Sequence, residues 1–186
     1  MATVSNVSVG KPKVGGAIYV APIGTANVPT DATTNLPAAF VGLGYVSEEG
    51  ITNSMSQDSD IYKAWGGDAV LAMIGGKEDS FKMKLLETMN PDVLKTIFGA
   101  SHVSGTISSG ISVEITNDSA VSMIWAIEMV MRDGALKRII IPSGVISELG
   151  DTVYVDDEPV GYEITVLASP DTNGVCHYEY IKRPTT

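Results

Sequence analysis

The groups best suited to chemistry in this chain are two histidines, one cysteine and a few clustered carboxylates. Their spacing argues against a catalytic or metal-binding arrangement. His102 and His177 stand apart, neither with a second histidine or a cysteine at ligand spacing. Cys176 neighbours His177, but adjacent residues of a strand point to opposite faces, so they make a poor ligand pair. With one cysteine no disulfide framework forms, and Cys176 reads as a small packed residue. No Gly-x-Ser-x-Gly elbow is present, and Gly75-Gly76-Lys77 lacks the upstream glycine of a phosphate loop. The acids Asp58 and Asp60, and the run Asp156, Asp157, Glu158, lack the Asp-x-Asp-x-Asp-Gly order of a calcium loop. Solvated turns are the simpler reading. No catalytic residue, metal ligand or cofactor is expected.

The elements that would hold any site are β-strands, and the stretch 121–141 organises them. Val121, Met123, Trp125, Ile127, Met129 and Met131 are large and apolar, whereas Ser122, Ile124, Ala126, Glu128, Val130 and Arg132 form a mixed face. That period of two predicts a half-buried strand. Asp133-Gly134 suits a two-residue type I′ turn, which pairs Met131 with Leu136, Met129 with Arg138 and Ile127 with Ile140. This register puts Arg138 on the core face. Either its guanidinium snorkels out at the sheet edge or the turn is one residue longer.

Further strands are predicted over 17–21, 80–86, 111–116, 145–149, 152–155, 160–167 and 176–181, separated by Gly-, Asp- and Pro-rich turns. One short helix is expected at about 90–98, with Asn90 as N-cap, Pro91 at the first position, Asp92 at the positive end and Gly99 closing it. Val93, Leu94, Ile97 and Phe98 form its apolar stripe. Strands of this length and spacing predict a mainly β fold, a two-sheet sandwich or barrel with one flanking helix. Residues 1–14 read as an N-terminal arm, 15–182 as one domain with long loops at 22–39 and 48–68, and 183–186 as a tail. Within the second loop, 51–55 and 60–65 read as the two arms of a protruding hairpin. Trp65 is a core anchor or an interface anchor.

At 186 residues and 44% hydrophobic, the chain is long enough to bury a substantial core. No signal peptide is read at the N-terminus, no apolar run reaches the ~20 residues that span a bilayer, and a reducing compartment is expected. Asn6-Val7-Ser8 and Asn117-Asp118-Ser119 fit the glycosylation pattern, but without a secretory signal no modification is expected. Twelve basic against 22 acidic residues give a net charge of −10, which opposes binding to nucleic acid. It does not oppose a protein that nucleic acid must slide past. From residue 145 onward 8 acids face 2 bases, so this part holds −6 of the charge.

The segments KPKVGGAIYVAPIGT, AAFVGLGYVSEEGITNS, IYKAWGGDAV, NPDVLKTIFG, GALKRIIIPSG and VGYEITVLASPDTNGVCHYEYI occur in this order over about 11–181. The ordered set resembles the major tail tube proteins of long, flexible-tailed (siphovirus-type) bacteriophages. The resemblance implies an all-β sandwich with one flanking helix, assembled into hexameric rings that stack into a tube through which the genome leaves the capsid. It implies no catalytic residues, location in the virion tail, synthesis in the host cytoplasm and no membrane anchor. The implied partners are other copies, a tape measure protein and a tail terminator, with DNA passing the lumen without specific binding. Ile51, Met55, Ile61, Tyr62 and Trp65, the sizeable apolar groups of 48–68, are the expected subunit contacts. The loop at 22–39 and both termini are expected contact elements too. Two other classes remain: a monomeric β-sandwich binding or adhesion module or another virion structural protein, and an enzyme with an unfamiliar carboxylate pair.

Overall fold

A computed structural model describes residues 3–118 and 120–183, apart from the side chains of Ser5, Asp58, Met73, Ile74 and Asp133. Ser119, the last residue of the second glycosylation triplet, and 184–186 of the expected tail lie outside the described residues. The strands are β1 (Gly10–Pro12), β2 (Ile18–Pro22), β3 (Val41–Gly42), β4 (Val46–Lys63), β5 (Ala69–Leu85), β6 (Val103–Thr106), β7 (Gly110–Val113), β8 (Met123–Met131), β9 (Leu136–Leu149), β10 (Tyr162–Ala168) and β11 (Tyr178–Lys182). The helix α1 (Pro91–Phe98) lies between β5 and β6. The main sheet runs β3-β2-β8-β9-β10-β5-β4, with β1 also on β8 and β11 also on β9, while β6 and β7 form a separate hairpin. It closes over one core: Ile18, Val20, Trp125, Ile127 and Ile141 pack in the same cluster as Phe81, Met83, Leu85, Ile164 and Val166. The fold is therefore mainly β and sandwich-like, as the alternation of apolar residues predicts.

β8 is buried on both faces along most of its length. Trp125 and Ile127 enter the main core, whereas Ile124 and Ala126 enter a second cluster with Ala21, Phe40 and Ile140. Val28 and Leu36 of the Pro-rich stretch 23–40 pack against this second cluster, beside Tyr19, Tyr178 and Tyr180. Much of that loop's apolar content thus lies on the subunit's own sheet. Val121 and Ser122 fall outside β8 and are exposed.

The β8–β9 register corrects the predicted one. Val130 pairs with Leu136, Glu128 with Arg138 and Ile127 with Ile139, because a short 3-10 turn at Arg132–Gly134 replaces the two-residue loop. The Met131 N–H also bonds the Ala135 carbonyl at 2.6 Å. One added residue moves Arg138 to the opposite face. There its side chain is 1% exposed and bonded to the Glu128 carboxylate and to the Asp31 carbonyl at 2.7 Å. Lys13 Nζ reaches the other Glu128 oxygen at 2.7 Å.

Burial pushes the Glu128 carboxyl up, but hydrogen bonds from Lys13 and Arg138 outweigh it and hold the pKa below the ordinary 4.5. A folded-state pKa below the unfolded one gives stability that is complete above the unfolded value and lost as pH falls through the folded value. The difference in melting temperature between the wild type and Glu128→Gln should therefore be largest near neutral pH and shrink below about pH 4. A difference constant from roughly pH 7 to 3 would mean that the carboxylate is not what the two cations hold.

α1 begins where its sequence signals place it. Asn90 Oδ1 accepts the Asp92 N–H at 2.9 Å, and Val93 and Leu94 are buried. The stretch 152–155, predicted as a strand, has no strand structure. β10 begins only at Tyr162, and among the described residues no strand pairs with 152–155.

Candidate subunit interface

The element that leaves the sandwich is the β4–β5 hairpin. Residues 48–68, expected as a loop, lie mostly in one strand of 18 residues, and its partner is the 17-residue β5. The expected pairing of 51–55 with 60–65 is replaced: Ile51 faces Met83, Met55 faces Asp79 and Ile61 faces Ala72. The hairpin tip is Ala64-Trp65-Gly66-Gly67-Asp68. The Ala64 N–H bonds the Asp68 carbonyl at 2.8 Å, and the positive φ values of Gly66 (119°) and Gly67 (98°) favour glycine there. An exposed ribbon has no dry face to impose alternating hydrophobicity, so serine and acid at 48–60 give no strand signal.

The inner part of the hairpin belongs to the core. Phe81, Met83 and Leu85 of β5 are buried, and Ile51 packs against them from β4. The boundary is Asp79, a carboxylate only 5% exposed. Asn53 Nδ2 donates to it at 2.7 Å, and His177 Nδ1 bonds its other oxygen. The His177 ring stands edge-on to Phe81, with centroids 5.2 Å apart. Groups from three segments thus meet where the arm departs.

Beyond Asp79 every described side chain from Ser56 to Glu78 is exposed. The projecting part of β4 is 56–63, a reach of about 25 Å at roughly 3.3 Å per residue. It carries unpartnered apolar groups: Met55 is 74% exposed, Ile61 58%, Tyr62 55% and Trp65 107%. Val70 and Leu71 on β5 are also exposed, and neither is among the residues expected from sequence. The run Ala69-Val70-Leu71-Ala72 after Gly66-Gly67-Asp68 was their signal, legible only once that turn is recognised as the tip. Tyr62 pairs with Leu71 on one face, while Ile61, Ala72 and Val70 share the other. Both faces therefore offer apolar surface. β4 also ends the sheet path, leaving a long edge of backbone donors and acceptors on its far side.

Of the five expected contact residues, the structure gathers Ile61, Tyr62 and Trp65 in the outer hairpin and leaves Met55 at its base. Ile51 is separated from them and half-buried against the main core. The remaining groups of chemical interest are dispersed. His102 Nε2 lies 2.8 Å from Asp118, far along the chain from the Asp79–His177 pair, and Cys176 packs against the core. Asp60 is exposed on β4, while the Asp58 side chain lies outside the described residues. Among the described residues no group of three or more His, Cys, Asp and Glu is placed to hold a metal ion. No helix among them is long and apolar enough to cross a membrane.

A family model described as phage tail tube protein matches residues 5–184. No curated protein matches the chain.

Proposed function

The chain belongs to the phage tail tube protein family and is a structural component of the virion tail, and on that premise we propose that it forms hexameric rings that stack into an acidic conduit for the genome. The tail is of the long, flexible kind that the ordered sequence segments resemble. Assembly with itself and with other tail components follows from the family. A tape measure protein inside the tube and a terminator at its end are the further partners proposed. The subunit is made in the host cytoplasm and acts without catalysis.

The observation that carries this reading is the outer β4–β5 hairpin. A two-stranded ribbon alone is marginally stable in water. Here it projects with both faces apolar, so a neighbouring ring that accepts it removes Tyr62, Trp65, Leu71, Ile61 and Val70 from solvent. The net charge of −10 supports the conduit, since carboxylates repel phosphate and let DNA pass without adhering. Electron microscopy of the concentrated purified protein tests the reading: sixfold rings or stacked tubes are expected. Separate subunits at every concentration would favour a monomeric binding module instead.

A further inference from the structure

A second apolar segment lies exposed far along the chain from the hairpin. Val153 is 58%, Tyr154 75% and Val155 45% exposed, in the connection between β9 and β10. Its residues are those of a strand, yet among the described residues no strand pairs with it. Its rim is acidic: Asp151, Asp156, Asp157 and Glu158 are all exposed, and no Lys or Arg occurs from 139 to 181.

The opposite end of β9 has the complementary character. Lys11 pairs with Val130, Val130 with Leu136 and Leu136 with Lys182, so one row crosses β1, β8, β9 and β11 on a single face. Two exposed lysines, three strand spacings or about 14 Å apart, flank two half-buried aliphatic residues. Exposed Arg132 stands in the adjoining turn, and Val9, two residues before Lys11, is 65% exposed. Lys13 and Lys137 at this end are already paired with Glu128 and Glu179, whereas Lys11, Arg132 and Lys182 have no ion pair among the described residues. Asp133 in the turn is the one acid set against them in the sequence.

We propose that the 151–158 segment of one copy docks on the β8–β9 turn end of the next copy, Val153, Tyr154 and Val155 meeting the aliphatic row while the acidic and basic rims pair around it. An apolar centre with a charged rim is the ordinary anatomy of a protein interface. The two surfaces sit at opposite ends of β9, so the contact is head-to-tail and leaves a joined pair with one free surface of each kind. Such a contact closes a ring or propagates a stack. This inference rests on the tail tube reading and identifies a second surface through which copies of the chain meet.

Two charge-swapped variants test it. One carries Asp156→Lys, Asp157→Lys and Glu158→Lys; the other carries Lys11→Glu, Arg132→Glu and Lys182→Glu. All six positions are exposed, so both variants should keep wild-type melting behaviour. Each alone now opposes like charges at the contact and should need at least about tenfold higher concentration to associate in sedimentation velocity. Mixed, they place acid against base again and should recover association, with a strong loss as salt rises from about 0.05 to 1 M. Tyr154→Ser, which leaves the charges intact, should weaken association by about tenfold as well. Association of either charge variant alone at the wild-type concentration, or no recovery on mixing, would overturn the proposal. Wild type that forms no ring or tube, beside a mixture that still forms salt-sensitive complexes, would instead remove the tail tube reading and leave this contact standing.

Discussion

Replacing residues 56–78 with Asn-Gly should give a subunit that folds and melts like the wild type but forms no tubes. The junction follows the ladder. Met55 and Asp79 are cross-strand partners, so a two-residue turn between them closes the shortened hairpin without changing its register. No described side chain between them is buried, and the Asp79 contacts with Asn53 and His177 remain. Loss of stability should stay under about 1 kcal/mol, a shift of roughly 2–4 °C for a chain of this size. The loss of tubes should be complete, because the deletion removes Ile61, Tyr62, Trp65, Val70 and Leu71 together. Hydrogen exchange gives the complementary measurement. Amides from 57 to 77 should exchange rapidly in the dilute subunit and become protected in tubes, since an unsupported ribbon is marginal in water. Long tubes from the shortened chain, or equal protection in both states, would assign assembly to other surfaces.

That hairpin also marks where the sequence ceased to be readable. Periodicity reports burial, so β8, β10 and the inner half of β5, which line the core, were visible in it. The outer part of β4 has no dry face. Its residues 56–60 are serine, glutamine and acid, a pattern that carries no period. What makes it a strand is pairing with β5, a relation between segments and not a property of either. Arg138 shows the same limit on a smaller scale. A buried cation on the core face was the sign of a wrong register, and the longer turn that resolves it left Asp133-Gly134 unchanged as a sequence signal. The proposed contact residues are visible in the sequence because large apolar side chains in a polar stretch stand out. Ile51 stood out equally, and only the fold assigns it to the core. Thr152 to Val155 shows the converse: strand-forming residue types predict a strand that does not form, because among the described residues no segment pairs with them.

The largest expected effect on stability comes from the place where β9 crosses Trp125. The Trp125 ring is fully buried, its Nε1–H donates to the Gly144 carbonyl at 3.1 Å, and the β8–β9 register shifts between Met123 and Trp125. A Cβ on Gly144 would lie 2.6 Å from Trp125 Cδ1 and 2.9 Å from Val166 Cγ1, closer than side chains tolerate. Both neighbours are fully buried, so neither has room to withdraw. Gly144→Ala should therefore cost about 1–3 kcal/mol through overpacking. Trp125→Ala should cost about 3–5 kcal/mol, since it empties one of the largest volumes of the core. At roughly 2–4 °C per kcal/mol, the second loss is a fall of about 6–20 °C in melting temperature. Ser122→Ala, exposed and outside β8, should stay within about 0.5 kcal/mol. The double variant separates contact from coincidence. With the indole gone, the added methyl at 144 enters the vacated space, so Trp125→Ala with Gly144→Ala should cost less than the sum by about 0.5–3 kcal/mol. Strict additivity would show that the methyl and the indole do not compete for the same volume. Equal small shifts for Trp125→Ala and Ser122→Ala would place the core on another face of the strand.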